Sequence, residues 1–152
     1  VNVYDSVVET GNEALDTILT EKSFACSQEG ITLSCIADGA ALGFVAPSDI
    51  YSVFGNALDN AIEATRTIED PERRNISLNV ARRGAMVAVS VENFYATEPQ
   101  FDGDLPRSTK GDDANHGFGV RSMRGTVERY GGTLHVGTND GVFYLNALLP
   151  AK

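Results

Sequence analysis

The chain has 152 residues and a formal net charge of −9, from 12 Lys and Arg against 21 Asp and Glu. This length suits one domain with one core. So large an excess of acids argues against non-specific nucleic-acid binding, which needs cationic groups that displace counterions. No apolar run of about 18 residues is present, so the sequence predicts no membrane span and no direct membrane contact. Cys26 and Cys35 form no CxxC pair, which argues against a disulfide framework or a zinc site.

The N-terminal part is predicted to hold one helix and two short strands. Apolar residues at helical spacing indicate a helix within residues 5–29, with a break near Gly11 and an end at Gly30. Alternation of apolar and polar residues over 31–36 predicts a strand. The short apolar stretch 42–45 suggests a second strand.

A long helix follows. Pro47 suits its first position, and Ser48 or Asp49 is the expected cap. An apolar stripe recurs along it at helical spacing, and the helix is expected to end before Pro71.

The second half of the chain is predicted to be mainly strands. Alternating residues indicate strands at 75–82 and 85–93, a helix is expected near 118–130, and strands 133–138 and 142–149 form a hairpin. Helices interspersed among antiparallel strands predict a two-layer α/β sandwich, with the helices on one face of a mixed sheet. The intervening stretch 95–117 follows no period, which is typical of a binding loop or lid.

The long helix carries polar residues where a helix ordinarily has none. Asn56 and Asn60 lie on neighbouring turns, although asparagine is a poor helix former because its amide competes for the backbone. One stripe beside the apolar face is lined by residues spaced by 4, 3 and 4 positions: Asn56, Asn60, Glu63 and Thr67. Such oxygens suit a hard cation such as magnesium. A solvated helix face has the same spacing.

A glycine-containing segment, residues 116–120, lies where the third helix is expected to begin. Two glycines two positions apart let the backbone approach a ligand closely, and the following helix start offers N–H groups to an anion. Residues 107–131 contain five Lys and Arg against three acids, and Lys110 and His116 precede the helix. Phosphate binding is the predicted chemistry. A plain turn at a helix start remains an alternative, because the third glycine of the dinucleotide fingerprint is missing.

Asn93 ends a predicted strand at the start of the loop. Its amide is able to accept from and donate to the edge of a nucleotide base. The alternative is an ordinary turn former.

Together these segments resemble the GHKL superfamily of ATP-binding proteins, which includes DNA gyrase, a heat-shock chaperone, mismatch-repair proteins and histidine kinases. Residues 56–64 resemble its asparagine-rich helix, and residues 109–120 resemble the glycine box that closes the ATP lid. Residues 10–19 resemble the entry segment of peptide-sensing, quorum-type histidine kinases. The resemblance covers roughly residues 10–149.

The resemblance implies a Bergerat fold, with three helices on one face of a mixed, mostly antiparallel sheet. Residues 1–152 are then a single catalytic domain, in which 1–10 are the remnant of a preceding helix or linker and 95–117 are the ATP lid. The implied cofactors are ATP and Mg²⁺.

The resemblance also assigns roles by position. Asn60 would coordinate the magnesium that bridges the phosphates, and Asn93 would bind adenine. Asn56 stands where hydrolysing relatives have a water-activating Glu; an amide cannot take that proton, so hydrolysis should be slow. The implied catalytic residues are Asn56, Asn60 and Lys110, and the implied nucleotide-binding residues are Asn56, Asn60, Glu63, Asn93, Lys110, His116, Gly117, Phe118, Gly119 and Val120.

The sequence departs from the family pattern at three places, one of them near Gly141, where a small residue replaces the expected Thr and removes a possible hydroxyl contact. Asn93 replaces the Asp of the usual adenine box, and a neutral acceptor makes a weaker hydrogen bond than a charged one. Glu63 stands where many histidine kinases have Lys or Arg; it cannot pair with a phosphate, though it could bind magnesium through water.

The function implied is transfer of the γ-phosphoryl of Mg-ATP to a histidine on a dimerisation domain absent from this chain, with a response regulator downstream. Such a protein-histidine kinase domain would be inactive in phosphotransfer alone, and it would lie on the cytoplasmic side of a bacterial membrane receptor. The alternatives are a nucleotide-sensing pseudokinase that regulates by contact, an anti-sigma-type serine kinase of the same fold, and a purely structural domain.

Overall fold

The computed structural model describes residues 9–106 and 115–151, and for residues 115–118 it describes the backbone alone. The elements follow in the order α1 (Glu13–Gln28), β1 (Thr32–Ala37), α2 (Pro47–Arg66), β2 (Asn75–Arg83), β3 (Met86–Phe94), β4 (Phe101–Asp102), β5 (Leu105–Pro106), α3 (Asn115–Arg129), β6 (Thr133–Asn139) and β7 (Val142–Pro150). Short 3-10 turns at Gly39–Leu42 and Pro71–Arg73 precede α2 and β2. In the described ranges, no helix combines the length and the apolar character needed to cross a membrane.

Five strands form one sheet in the order β1-β2-β3-β7-β6. β1 is parallel to β2, and every other neighbouring pair is antiparallel. The alternating residues Ile76, Leu78 and Val80 of β2 are buried, and the core joins this face of the sheet to the buried sides of the three helices. The predicted two-layer sandwich with a mixed, mostly antiparallel sheet is therefore confirmed.

The sequence explains the bounds of α1. Asn12 caps the helix, its side-chain oxygen accepting from the Leu15 N–H at 3.1 Å. Gly11 before the cap has φ +95°, and Gly30 after the helix has φ +67°, which are conformations that glycine adopts without strain. The predicted end at Gly30 is confirmed. α1 begins after Gly11, at Glu13, and residues 1–8, where a helix before the predicted break would lie, are outside the described part of the chain.

The segment 42–45 is not a strand, contrary to the prediction. Residues Gly39–Leu42 form a 3-10 turn, with Leu42 fully buried beneath it. The turn packs against the chain that enters α1: the Gly39 N–H donates to the Thr10 carbonyl at 2.8 Å, and a Cβ on Gly39 would overlap the Thr10 side chain. Packing against a distant segment thus overrides the local apolar pattern.

The predicted cap of α2 is also wrong. The cap residue is Ala46, two residues before Ser48, and no side chain of its own caps the helix; Pro47 occupies the first helical position, as expected. Asp49 lies inside the first turn, where its carboxylate accepts hydrogen bonds from the end of α3.

The region predicted to be without pattern, 95–117, contains regular structure at both ends. β4 and β5 form a small antiparallel hairpin, and Leu105 belongs to the core. At the other end, α3 begins at Asn115 rather than near residue 118. Residues 107–114 lie outside the described part of the chain.

Candidate functional site

Helices α2 and α3 pack side by side in opposite directions. The Asp49 carboxylate in the first turn of α2 accepts hydrogen bonds from Tyr130 and Arg129 at the end of α3. In the middle of α2, the side chain of Asn56 faces Gly119 near the start of α3, where an added Cβ would lie 3.5 Å from Asn56 Oδ1. The predicted asparagine stripe and glycine segment are therefore adjacent.

Asn56 and Asn60 are half-buried, at the edge of the apolar face of α2. Neither side-chain amide has a hydrogen-bond partner within the ranges that the structure describes. A half-buried amide without a protein partner retains its full capacity to accept and donate. Both groups are thus available to a ligand or an ion on this side of α2.

The other two members of the predicted stripe differ from this pair. Glu63 is half-buried, and its negative charge is one of the causes that raise the pKa of the Arg66 guanidinium, after the hydrogen bond to Glu29 and the charge of Glu29. Thr67 is exposed, and its hydroxyl donates to the Ala64 carbonyl at 3.2 Å. The stripe therefore offers two unused amides and one carboxylate, and it ends before Thr67.

Asn93 is 3% exposed, on the helix-facing side of β3. Its side-chain nitrogen donates to the Phe94 carbonyl at 2.7 Å. This bond fixes the orientation of the amide, so that the oxygen is directed away from Phe94 as an acceptor.

Asn93 lies at the same end of the molecule as the second half of α2. In the sheet it pairs with Ile76 near the start of β2. Two residues before Ile76, the Arg74 guanidinium donates to the carbonyls of Arg66 and Ile68 at the end of α2, at 3.1 and 2.8 Å. The register of the sheet and the Arg74 bonds thus bring Asn93 to the end of the molecule where α2 terminates.

The glycines lie in the first turns of α3, not in a loop before it, which corrects the prediction. Burial of Val120, Met123 and Val127 stabilises the helix, and this stabilisation outweighs the low intrinsic helix propensity of glycine. A Cβ at position 119 would be in ordinary van der Waals contact with the Asn56 side chain, so glycine leaves the space beside that amide open. The first N–H groups of a helix have no partner within it, so the start of α3 still presents donors to an anion.

The remaining predicted residues have mixed outcomes. Val120 is fully buried in the core, so its side chain contributes to packing and not to the surface of a cleft. His116 and Phe118 belong to α3, but their side chains lie outside the described part of the chain, as does all of Lys110.

The local positive charge counted from the sequence is partly neutralised by acids elsewhere in the chain. Arg124 forms an ion pair with Asp104 in the turn between β4 and β5. Arg129 forms another with Asp49, with its nitrogen 3.1 Å from the carboxylate oxygen. Both contacts lie within the chain, so two of the five Lys and Arg counted in residues 107–131 have acidic partners.

Sequence reasoning missed the polar cluster that joins α2 to the end of α3. Tyr130 was expected only as the last residue of the third helix, and Asp49 as a possible helix cap. In the structure the Tyr130 hydroxyl donates to Asp49 at 2.5 Å and accepts from the Ala46 N–H at 3.0 Å. An acid in the first turn of one helix and a tyrosine at the end of another were the available signals, but the sequence did not pair them.

A family model described as a GHKL domain matches residues 45–150. No curated protein matches the sequence significantly. Among solved structures, a nucleotide-free form of the catalytic domain of the histidine kinase ThkA has a TM-score of 0.69 and 19% identity, covering 94% of this chain and 93% of that one. The Acinetobacter baumannii histidine kinase AdeS has a TM-score of 0.63 and 11% identity, covering 92% of this chain and 64% of that one.

Because the sequence identities are only 19% and 11%, these likenesses show the fold alone. This chain has the fold of histidine kinase catalytic domains. The evidence for the family comes from the match of the sequence to the family model. It spans more than two thirds of the chain and includes the asparagine stripe of α2, Asn93, and the glycine segment at the start of α3. This chain belongs to the GHKL domain family.

Proposed function

We propose that this chain is the Mg-ATP-binding catalytic domain of a two-component sensor histidine kinase. In the proposed reaction, a nitrogen of a histidine on a dimerisation domain outside this sequence bonds to the γ-phosphorus of ATP, and the bond between that phosphorus and the ADP oxygen breaks. A response regulator would then receive the phosphoryl group. The observation that carries the proposal is the approach of Asn56 Oδ1 to Gly119, because it makes the asparagine stripe and the glycine segment two walls of one site.

The phosphates of ATP are expected to lie between the second half of α2 and the start of α3. Peptide N–H groups and the positive end of the helix dipole favour an anion at the start of α3. Lys110 and His116 are proposed to approach the same phosphates, as the family pattern implies. Asn60 lies one turn beyond Asn56 on the same side of α2 and has no partner in the described ranges.

The residues present fit a magnesium ion that is bound mainly by phosphate oxygens. Within the described residues, no group of three or more His, Cys, Asp and Glu side chains is placed to hold a metal. Mg²⁺ commonly takes only one or two protein ligands and fills its remaining positions with water and substrate phosphates. Asn60 Oδ1 is the proposed protein ligand, with Glu63 as a candidate partner through water. When bound, the ion would neutralise charge that develops on the phosphates.

The adenine ring is expected at Asn93. One N–H of the Asn93 side chain donates to the Phe94 carbonyl and orients the amide, and the side-chain oxygen is an acceptor for an exocyclic amino group. Adenine carries such an amino group at the six-position, whereas guanine carries an oxygen there. The fixed amide therefore favours ATP over GTP.

The absence of a carboxylate at position 56 favours transfer over hydrolysis. An amide cannot accept a proton from an attacking water, whereas a histidine nitrogen attacks with its own lone pair. Catalysis by this domain would then consist of positioning and of electrostatic stabilisation of the phosphates. We further propose a cytoplasmic position in a bacterial membrane receptor of the quorum-sensing peptide type, which is supported by the likeness of residues 10–19.

One observation favours a second candidate, a nucleotide-sensing pseudokinase. Two of the departures from the family pattern lie at the candidate site: Asn93 is neutral, and Glu63 places a half-buried carboxylate on the phosphate side of α2. A domain of this kind would bind nucleotide and regulate a partner by contact, without transfer.

Titration with a fluorescent ATP analogue, with and without Mg²⁺, tests nucleotide binding directly. We expect saturable, magnesium-dependent binding that Asn60→Ala abolishes while the circular dichroism spectrum is unchanged. Asn79→Ala is the matched control, because Asn79 is an exposed asparagine on β2. Transfer of radiolabelled phosphate from γ-labelled ATP to the parent kinase's dimerisation domain then separates the two candidates. Nucleotide binding without transfer would exclude the kinase and support the pseudokinase.

A further inference from the structure

We propose that Tyr130 is a positioning residue whose hydroxyl, held by Asp49 and the Ala46 N–H, sets the spacing of α2 and α3 at the phosphate site. This inference rests on the proposed function, since it concerns the same site. We call the three hydrogen-bonded residues Ala46, Asp49 and Tyr130 the latch. The latch lies at the opposite end of the two helices from Asn60.

The hydroxyl of Tyr130 is both a hydrogen-bond donor and a hydrogen-bond acceptor. It donates to Asp49 Oδ2 at 2.5 Å and accepts from the Ala46 N–H at 3.0 Å. Ala46 is the cap residue of α2 and has no capping side chain. A residue just past the end of α3 therefore supplies a polar group that α2 lacks at its own start, which ties the two helix ends together with directional bonds.

The charge of Asp49 strengthens this connection. Its side chain is 17% exposed and also accepts from Arg129 at 3.1 Å. The hydrogen bonds from Tyr130 and then Arg129 lower the pKa of Asp49, while the hydrogen bond to Asp49 raises the pKa of Tyr130. Both directions are those of an ionised carboxylate that accepts from a neutral hydroxyl, which is among the stronger hydrogen bonds in proteins.

The latch borders an apolar cavity. The cavity has a volume of about 30 Å³, and its lining includes Val53, Phe54, Met123 and Val127 as well as Asp49 and Tyr130 of the latch. Apolar packing is non-directional, and a void leaves its lining without contacts on one side. The latch, together with the hydrogen bond from Arg129 to Asp49, therefore supplies directional restraint at this end of the pair.

A small tilt about the latch is amplified at the glycines. From Tyr130 to Gly119 the chain covers about 16 Å at ~1.5 Å per residue, so a tilt of ~5° moves the start of α3 by about 1.4 Å. Displacements of about 1 Å are large for groups that must contact phosphate oxygens, and they reduce rates by up to ~100-fold. Adenine is proposed to bind Asn93 on the sheet, so this displacement of α3 would not change its affinity.

The test compares Tyr130→Phe with wild type, using adenosine and the magnesium complex of ATP as probes. We expect the Kd of Mg-ATP to rise about five- to ten-fold, and the Kd of adenosine to be unchanged. Phe44→Leu is the control, because it removes the edge-on ring contact to Tyr130, with centroids 6.1 Å apart, and leaves the hydroxyl in place. It is expected to lower Tm without changing the ratio of the two affinities.

Asp49→Asn is a second variant that keeps an acceptor oxygen for Tyr130, so we expect it to retain most Mg-ATP affinity where Asp49→Ala does not. If Tyr130→Phe or Asp49→Ala weakens both probes equally, or neither, the latch is only structural and the inference fails. If the wild-type chain binds adenosine but not Mg-ATP, or binds neither, the proposed function itself fails. The two failures are thus distinguishable.

Discussion

Gly119 of α3 lies directly against the side chain of Asn56 of α2, and a methyl group at position 119 would be 3.5 Å from the Asn56 oxygen. That separation is ordinary van der Waals contact, so the position is sterically open to alanine. Glycine there is therefore not required by packing. It leaves uncovered an amide oxygen that has no partner in the described ranges.

Gly119→Ala is expected to stabilise the fold and weaken nucleotide binding. Alanine favours the helical state over glycine by about 0.5–1 kcal/mol. The added methyl would cover Asn56 Oδ1 and narrow the cleft, so we expect the Kd of Mg-ATP to rise about three- to ten-fold. Thermal unfolding and titration with a fluorescent ATP analogue measure the two effects.

Gly125→Ala is the matched control for this prediction. Gly125 is exposed on the same helix, and a Cβ there would meet nothing within 4 Å. It should raise Tm by a similar amount with unchanged nucleotide affinity. Equal affinities for wild type, Gly119→Ala and Gly125→Ala would exclude the space beside Asn56 from the binding site.

The asparagine stripe could be predicted because its evidence is local. Asn56 and Asn60 contradict helix propensity within an otherwise clear apolar period, and one helix carries both signals. The strands were predictable for the same reason, since Ile76, Leu78 and Val80 alternate along a single segment. Where one element carries the whole pattern, periodicity is sufficient.

Features that depend on two distant segments were not predictable in the same way. The two-residue strands β4 and β5 are too short to show a period, and Leu105 is recognisable as core only once α3 packs over it. The start of α3 was placed too late, because glycines argue against helix locally and tertiary burial decides in favour of it. The contact between Asp49 and Tyr130 spans 81 positions and leaves no local pattern.

Arg74→Met is expected to destabilise the protein by about 2–4 kcal/mol, because it leaves several carbonyls without their donor. The Arg74 guanidinium donates to the carbonyls of Thr65, Arg66 and Ile68 at 3.4, 3.1 and 2.8 Å, and also to that of Glu29. One cation thus satisfies the ends of both α1 and α2, where the helix dipoles favour positive charge. Methionine keeps the apolar stem and removes the donors.

Urea denaturation measures this loss of stability. Arg83→Met is the control, since Arg83 is an exposed arginine at the end of the same strand, β2. It should change the unfolding free energy by less than about 0.5 kcal/mol. Similar values for the two variants would mean that the four carbonyls find other donors once Arg74 is replaced.

Asn93→Asp is expected to destabilise the fold by about 1–3 kcal/mol at pH 7, even though most relatives are expected to have Asp at this position. The change removes the N–H donor that binds the Phe94 carbonyl at 2.7 Å and places a carboxylate at a site that is 3% exposed. Burial raises the pKa of such a carboxyl in the folded state, so the deficit should be small at pH 4 and grow as pH rises above the unfolded-state value of about 3.9. Chemical denaturation across pH measures it. A deficit that does not vary with pH would show that the new carboxyl is hydrated.

Asp49→Asn should reduce stability at neutral pH and have little effect in acid. The hydrogen bonds from Tyr130 and Arg129 lower the pKa of Asp49, so its folded-state value lies below the unfolded one. A carboxyl of this kind contributes stability above its unfolded pKa, and that contribution is lost as pH falls through the folded pKa. The unfolding curves of wild type and variant should therefore differ at pH 7 and converge as pH falls below the unfolded-state pKa of about 3.9 and then through the lower folded-state pKa. Asp59→Asn is the comparison, because Asp59 is an exposed acid whose partner is Lys22 of α1, at 2.7 Å, and not a group of α3. A stability difference for Asp49→Asn that persists undiminished at pH 2 would mean that the latch does not depend on the charge of Asp49.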